Sequence, residues 1–250
     1  MGLREDIIRK VKEKKSLDKL GDSYVEKFLD IILRREDRLR IKLNKNILKE
    51  KDKEKIIKLT RNELNKRYGQ FWKKYGDIIS HKSSDERKEI YEEVYKKIFS
   101  ITGKPRTLLD IGAGVNTLSY DLIGKEVYYY VNELTLHDCE YIRKYLSDNN
   151  FKFEIIIGDI TELNDFPKTD VCFMFKLLDS LDVKGHKITE ELIKKLRSKY
   201  IVVSFSNLGI NNRKMNFPRR KWFEAMLKRL SLEFEKVEFT SESFYIIKKS

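Results

Sequence analysis

Leu108-Leu109-Asp110-Ile111-Gly112-Ala113-Gly114-Val115-Asn116-Thr117-Leu118 is the stretch that decides the fold of this chain. Leu108, Leu109 and Ile111 read as a short buried strand, and Gly112 and Gly114 break it sharply. Glycines let the backbone turn tightly and admit a nucleoside to contact distance, where a Cβ would collide. Asp110 stands at the strand's end, the place where an open α/β sheet binds its ligand. Gly-x-Gly after a strand is shared by NAD enzymes and methyltransferases, and an ordinary strand-to-turn junction also carries it. The dinucleotide pattern Gly-x-Gly-x-x-Gly fails here because the third position is Thr117. That tilts the reading toward S-adenosylmethionine, which has no pyrophosphate to cradle.

Downstream, strands and helices alternate. Gly103 to Arg106 reads as a linker into the first strand. Val127 to Val131 is a second strand ending at Asn132-Glu133, about 20 residues past the glycine loop, where a carboxylate accepts bonds from ribose hydroxyls. A helix over 138–145 leads to a third strand, 153–157, and then Gly158-Asp159-Ile160. Asp159 is placed like the acid that holds an adenine amino group, with Ile160 beside the ring. Strands at 171–175, ending at Lys176, and 200–205 follow, with helices from Thr189 and over 222–230. Phe234–Phe239 and Ser243–Ile247 read as a closing antiparallel hairpin. Repeated βα units with such a hairpin predict an α/β fold: a Rossmann-like, seven-stranded class I methyltransferase domain.

Residues 1 to about 100 read as helix throughout, with Ser16 and Asp22 as candidate N-caps. Tyr24, Phe28, Ile31 and Ile32 recur at helical spacing, as do Ile47, Leu48, Ile56, Ile57, Leu59 and Leu64. Phe71, Trp72 and Tyr75 follow the Gly69 break, and Ile90, Tyr91, Val94, Ile98 and Phe99 mark a last helix. These apolar positions read as core between packed helices. Arg34, Arg35, Arg38 and Arg40, four arginines within seven residues, make a local field suited to phosphate. Lys66 and Arg67 join them as RNA-binding candidates.

The 250 residues carry a formal charge of +13, unevenly placed. Residues 1–100 hold 29 Lys and Arg against 19 Asp and Glu, and the remaining 150 residues contribute only +3. The expected organisation is therefore a helical RNA-docking domain over 1–101 and an S-adenosylmethionine-binding methyltransferase domain over 102–250. A solvated Lys-rich surface would have the same composition. Cys139 and Cys172 lack metal-ligand spacing and read as reduced, structural thiols, so no metal site is expected. No secretory signal is legible at the start, and no run approaches the roughly 18 apolar residues of a membrane span. The expectation is a cytoplasmic monomer. His81, His137 and His186 are scattered and receive no catalytic role.

Across roughly residues 55–247 the sequence resembles the aminoglycoside-resistance type of 16S ribosomal RNA methyltransferases, the Arm or FmrO-like family. The resemblance rests on linked segments: Ser83-Ser84-Asp85-Glu86-Arg87 before Ile90-Tyr91-Glu92, Tyr95 and Ile98-Phe99; Leu109 to Leu118; and Asp170-Val171 through Phe175-Lys176-Leu177-Leu178. Val203-Ser204-Phe205, Arg213 with Met215, and Trp222-Phe223-Glu224 complete it. Thr117 stands where the family usually has proline, Asn212 where it has glycine, and Ser206 where proline follows the aromatic. The resemblance implies a helical N-terminal region that docks on folded rRNA and a C-terminal domain that binds S-adenosylmethionine. It implies that Arg87 meets the methionine carboxylate, that Glu133 takes the ribose, and that Asp159 and Ile160 hold the adenine. Asp110, Gly112, Ala113, Gly114 and Leu134 complete the cofactor set. Lys176, Ser204, Phe205 and Arg213 are the catalytic candidates, and Met215 lines the target-base side.

Methyl transfer from a sulfonium is an in-line displacement for which the protein supplies alignment and exclusion of water. Guanine N7 offers a lone pair with no proton to remove. An exocyclic amine such as cytosine N4 usually needs the Asp/Asn-Pro-Pro-aromatic signature after the fourth strand. Phe175-Lys176-Leu177-Leu178 stands there instead, so a ring nitrogen is favoured, and the resemblance implies a base of small-subunit rRNA near the decoding region. The alternatives are cytosine N4 of rRNA, a tRNA target, or a non-catalytic ribosome-assembly factor that binds RNA. A small-molecule methyltransferase would need no basic helical appendage. Cys172, inside an apolar strand, reads as an inert thiol rather than a nucleophile.

Overall fold

Glycine breaks and alternating apolar positions of the second half resolve into seven strands: β1 (Thr107–Ile111), β2 (Tyr128–Glu133), β3 (Lys152–Ile157), β4 (Val171–Phe175), β5 (Tyr200–Ser206), β6 (Glu233–Glu238) and β7 (Glu242–Lys248). They form one sheet in the order β3-β2-β1-β4-β5-β7-β6, with β7 antiparallel to both neighbours and the other pairings parallel. This is the class I methyltransferase topology expected from the sequence. The chain winds outward from β1 to β3, then returns to β4 on the other side of β1. The carboxyl ends of β1 and β4 therefore flank the switch point, where open α/β sheets take their ligands.

The computed structural model describes residues 2–68, 90–181, 185–208 and 219–249. It divides into two compact units, Met1–Ile78 and Ile79–Ser250. In the second unit the central strands are buried on both faces, so they read as continuous apolar runs. Leu108, Val131, Phe173 and Val202 face one cluster, shared with α5 (Tyr91–Thr102) and α6 (Leu136–Asp148). Leu109, Cys172, Met174 and Val203 face the other, shared with α8 (Lys187–Lys195) and α9 (Lys221–Arg229). A single turn, α7 (Leu178–Leu181), follows β4. Tyr91, Val94, Tyr95 and Ile98 of α5 pack into the sheet core, and the Tyr95 hydroxyl lies 2.6 Å from Ser119 Oγ. The helix thus groups with the sheet, whereas the expected boundary after residue 101 assigned it to the helical part. Its amphipathic pattern is the same in either setting, and only the partner face distinguishes them.

The first unit packs α1 (Leu3–Lys12), α2 (Asp22–Arg35), α3 (Asp37–Asn44) and α4 (Glu50–Arg67). Val25, Phe28, Leu29, Ile32 and Leu33 form the buried stripe of α2, which meets α1 and α4. Arg61 of α4 donates from Nε to the Val11 carbonyl at 3.2 Å and from Nη2 to that of Lys10, closing the carbonyl end of α1. The expected N-caps are not used. Residues 13–20 form turns, so no helix starts at Ser16, and Gly21 precedes α2, making Asp22 its first residue. Among the described residues no helix is long and apolar enough to cross a membrane.

Candidate active site

Gly112 (φ +62°) and Gly114 (φ +52°) both occupy the left-handed region, turning the chain out of β1 into a 3₁₀ segment, Gly114–Leu122. The turn is stitched to the next strand. Gly112 N–H donates to the Asn132 carbonyl at 3.0 Å and Ala113 N–H to the same oxygen at 3.3 Å. A Cβ on Gly112 would lie 3.1 Å from Leu177 Cδ1 in a backbone conformation hostile to side chains. Gly112→Ala is expected to cost about 1–2 kcal/mol, read as a lowered thermal midpoint of the full-length protein.

Asp110 is buried, and its Oδ2 accepts from Asn116 Nδ2 at 2.7 Å and from the Tyr120 hydroxyl at 2.9 Å. Burial and the adjacent carboxylate push the Tyr120 phenol well up, so it remains a donor. Asp110 therefore pins the 3₁₀ segment against the strand end and sets the path of the glycine loop.

Glu133, at the end of β2, is buried. Its Oε1 accepts from Gly114 N–H at 2.5 Å and its Oε2 from Leu134 N–H at 3.1 Å. A carboxylate has about four lone-pair directions, so two remain for a ligand. Desolvation, reinforced by Asp138 and opposed by those two N–H donors, raises its pKa from 4.5 to about 7. Gly158 N–H donates to the Glu133 carbonyl at 2.9 Å, and Asn132 Nδ2 to the carbonyls of Ile156 and Gly158 at 3.0 and 3.2 Å. The ends of β2 and β3 are thereby locked together, which brings Asp159 beside Glu133 on one sheet edge. Asp159 Oδ1 accepts from Thr161 N–H at 2.9 Å and Thr161 Oγ1 at 2.8 Å, closing the turn that follows. Ile160, the next residue, is buried in the cluster containing Leu109 and Ile111.

Across the switch point the chain leaves β4 at Lys176, a non-glycine residue in the left-handed region (φ +54°). Its N–H donates to the Ser204 carbonyl at 3.1 Å and lies 3.0 Å from Ser204 Oγ. Lys176 Nζ is 3.2 Å from Glu242 Oε2, and Ser204 Oγ donates to Glu242 Oε1. The Lys176 side chain is 9% exposed and that of Glu242 is fully buried. Two residues expected at the site, Lys176 and Ser204, are thus joined by a third that sequence reading passed over. The hairpin strand was expected to begin at Ser243. It begins one residue earlier, and that residue is the buried acid; an acid two residues before the apolar run Phe244–Ile247 is the one signal that marks it. Phe205 is a correction of a different kind. It points into the core against Trp222, Phe223 and Tyr245, and the adjacent pleat positions alternate sides of the sheet, so Ser204 and Phe205 cannot both face one ligand.

A model of the ribosomal RNA methyltransferase family FmrO matches residues 76–247, more than two thirds of the chain. The chain belongs to the FmrO family. This FmrO-family protein is 25% identical over 173 residues to the 16S rRNA (guanine(1405)-N(7))-methyltransferase of Micromonospora rosea, covering 68% of this chain and 63% of that one. To the enzyme of the same description from Proteus mirabilis it is 27% identical over 177 residues, with 68% and 63% covered. The match spans a little under two thirds of those curated relatives. Among solved structures, the 16S rRNA methyltransferase RmtF in complex with S-adenosyl-L-homocysteine superposes with a TM-score of 0.77 at 16% identity, covering 100% of both chains. The 16S rRNA methylase RmtB gives 0.75 at 19% identity, covering 99% and 98%. At those identities the likeness is one of fold.

In this FmrO-family protein the arginine cluster falls on two helices. Arg34 and Arg35 close α2, and Arg38 and Arg40 lie in α3, all four exposed. Arg40 pairs with Asp37 at 2.5 Å, and Arg35 reaches to 3.9 Å from the buried Glu63. Lys66 is exposed, but the Arg67 guanidinium lies over the Phe28 ring at 5.2 Å and its side chain is 17% exposed. Arg67 is thus a packing residue as much as a surface charge. Arg87, Arg213 and Met215 lie outside the described residues. Cys139 and Cys172 are buried free thiols, and burial raises both above the usual thiol range. Among the described residues no three His, Cys, Asp or Glu side chains gather as a metal site.

Proposed function

We propose that this chain is an S-adenosylmethionine-dependent methyltransferase acting on a base of small-subunit rRNA, with guanine N7 the favoured atom. The observation that carries this reading is the division of one sheet edge in an FmrO-family fold. Nucleoside-type acceptors, Glu133 and Asp159, lie on one side of the switch point, and a buried Lys176–Glu242–Ser204 group lies on the other. The donor set suits the cofactor: Glu133 keeps lone pairs for two ribose hydroxyls, Asp159 accepts from an adenine amine, and the glycine turn leaves backbone open beside them. Arg87 is proposed to meet the methionine carboxylate, and Gly112, Ala113, Gly114 and Leu134 to line the nucleoside. When bound, S-adenosylmethionine supplies a methyl already activated by the sulfonium.

The protein's own residues then bind, orient and keep water out. Guanine presents N7 and O6 as neighbouring acceptors on one edge. Lys176, a donor, matches O6 and fixes the base with N7 in line. Both Glu242 oxygens are engaged by Lys176 and Ser204, which supports a ring nitrogen over an amine that would need a free acceptor. Arg213 and Met215 are assigned to the same base, and the helical unit to docking on rRNA in the assembled small subunit. Labelled cofactor incubated with small subunits is expected to mark one rRNA position as 7-methylguanine. No label on subunits or naked rRNA would remove the proposal.

Docking through the exposed arginines has its own signature. Replacing Arg34, Arg35, Arg38 and Arg40 together with alanine is expected to weaken rRNA binding at every sequence. It should also reduce the slope of log K against log salt by roughly 3. Filter binding across a salt titration measures both, and an unchanged slope would show that these residues do not meet phosphate.

A further inference from the structure

The motif Trp222-Phe223-Glu224 and the histidine His186 have no part in the site described above, yet the fold brings Trp222 and His186 together. Their rings stack face to face, with centroids 3.6 Å apart and planes within 6°. The neighbouring aromatic contacts are of another kind: Trp222 meets Phe205 at 82° and Phe223 at 71°, the edge-on packing usual in cores. Both stacked residues are half-buried, and Lys187 beside His186 and Lys221 beside Trp222 are exposed, so the pair lies at the protein surface.

The stack adjoins the carboxyl end of β5, on the face of the sheet opposite Ser204. Phe205, the next residue along β5, meets Trp222 edge-on, and Arg220 lies over the Phe205 ring at 5.2 Å. Arg220 is itself fixed, by Asp179 at 2.7 Å and by the Ser206 carbonyl at 3.4 Å. His186 is held at φ +54° directly after Gly185 at φ +79°, two consecutive left-handed residues that deliver the imidazole to the indole. His186 Nδ1 is buried without a hydrogen-bond partner among the described residues, so polar bonding does not explain the placement.

We infer that the His186–Trp222 stack is a seat for a nucleobase of the substrate RNA beside the one that is methylated. This rests on the proposed function and deepens it. Unpaired RNA bases are held by stacking on aromatic and histidine side chains, a contact available to any base. The stack lies at the carboxyl end of β5, and exposed Lys187 and Lys221 beside it supply positive charge for a flanking phosphate. The seat thereby explains how a base is presented to Lys176 after the helical unit has captured the RNA.

The chain has two tryptophans, Trp72 and Trp222, so a Trp72→Phe background isolates the indole. In that background, small-subunit rRNA is expected to quench Trp222 fluorescence saturably, and S-adenosylhomocysteine alone is expected not to. His186→Ala should raise KM for small subunits about tenfold with cofactor affinity by calorimetry unchanged, and His186→Phe, which keeps a stacking ring, should restore it. A lowered melting temperature with KM unchanged would make the stack purely structural and overturn the inference. So would methyl transfer proceeding with no RNA-dependent change in Trp222 emission. Failure of the wild-type protein to label any RNA would instead overturn the proposed function, and the rRNA titration would still decide whether the stack binds bases.

Discussion

Glu242→Ala is expected to destabilise the sheet unit by about 3–5 kcal/mol and to abolish methyl transfer. Glu242 is fully buried and balances Lys176, whose side chain is only 9% exposed. Removing the acid leaves an ammonium in low-dielectric surroundings and takes the acceptor from Ser204 Oγ. The loss falls at a strained position, since Lys176 leaves β4 in the left-handed region and its N–H is anchored on Ser204. Glu242→Gln keeps an oxygen for Ser204 and should cost less stability while still misdirecting Lys176. The double variant Lys176→Met with Glu242→Leu removes both charges, and by the behaviour of buried pairs should recover most of the stability without recovering activity. Denaturant midpoints and single-turnover methyl transfer on the four proteins separate the two effects. An active, fully stable Glu242→Ala protein would show that the pair neither holds the edge nor orients the base.

Cofactor affinity is expected to rise with pH and level off above about 7. Glu133 is buried, and desolvation first, then Asp138, raises its pKa from 4.5 to about 7. Ribose hydroxyls donate, so they require the ionised acid. Affinity should then fall, approaching tenfold for each pH unit below 7, and level again only where the acid in the complex is itself protonated. The linkage to stability has the opposite sign from a salt-bridged acid. Between the unfolded value near 4.5 and the folded value near 7 the native state holds the proton more tightly than the unfolded chain. Its contribution is therefore fully present below about 4.5, is lost as pH rises through 7, and is constant above. Calorimetric titrations from pH 5 to 8 test the binding limb. Glu133→Gln should flatten the profile and weaken binding at pH 8 by about 1.5–3 kcal/mol. A wild-type affinity independent of pH would mean that Glu133 is not the ribose acceptor.

Much of this edge is legible in the amino-acid sequence, because the relevant signals are local. A glycine that must turn the chain, an acid at a strand's end and an apolar run of five residues each depend on near neighbours. For that reason the glycine loop, Glu133, Asp159, Lys176 and Ser204 all fall at carboxyl strand ends as read from the sequence. Phe205 falls elsewhere than expected because an apolar residue next to a polar site position has the same one-dimensional pattern whether it faces ligand or core. The pleat decides, and it turns Phe205 away from Ser204. Arg67 reads as a free cation in one dimension, yet its packing over Phe28 depends on a residue far along the chain on a different helix.

By itself the sequence determined the seven strands, their parallel character with a final hairpin, the residues at their carboxyl ends and the excess of charge in the first hundred residues. Period, glycine placement and composition are short-range properties, and they survive in the one-dimensional record. Only the tertiary structure decided that Glu242 neutralises Lys176, that His186 lies on Trp222, and that Tyr91–Thr102 packs on the sheet. Each is a pairing across long stretches of chain, between groups that meet only after the sheet has formed, so no local pattern records it.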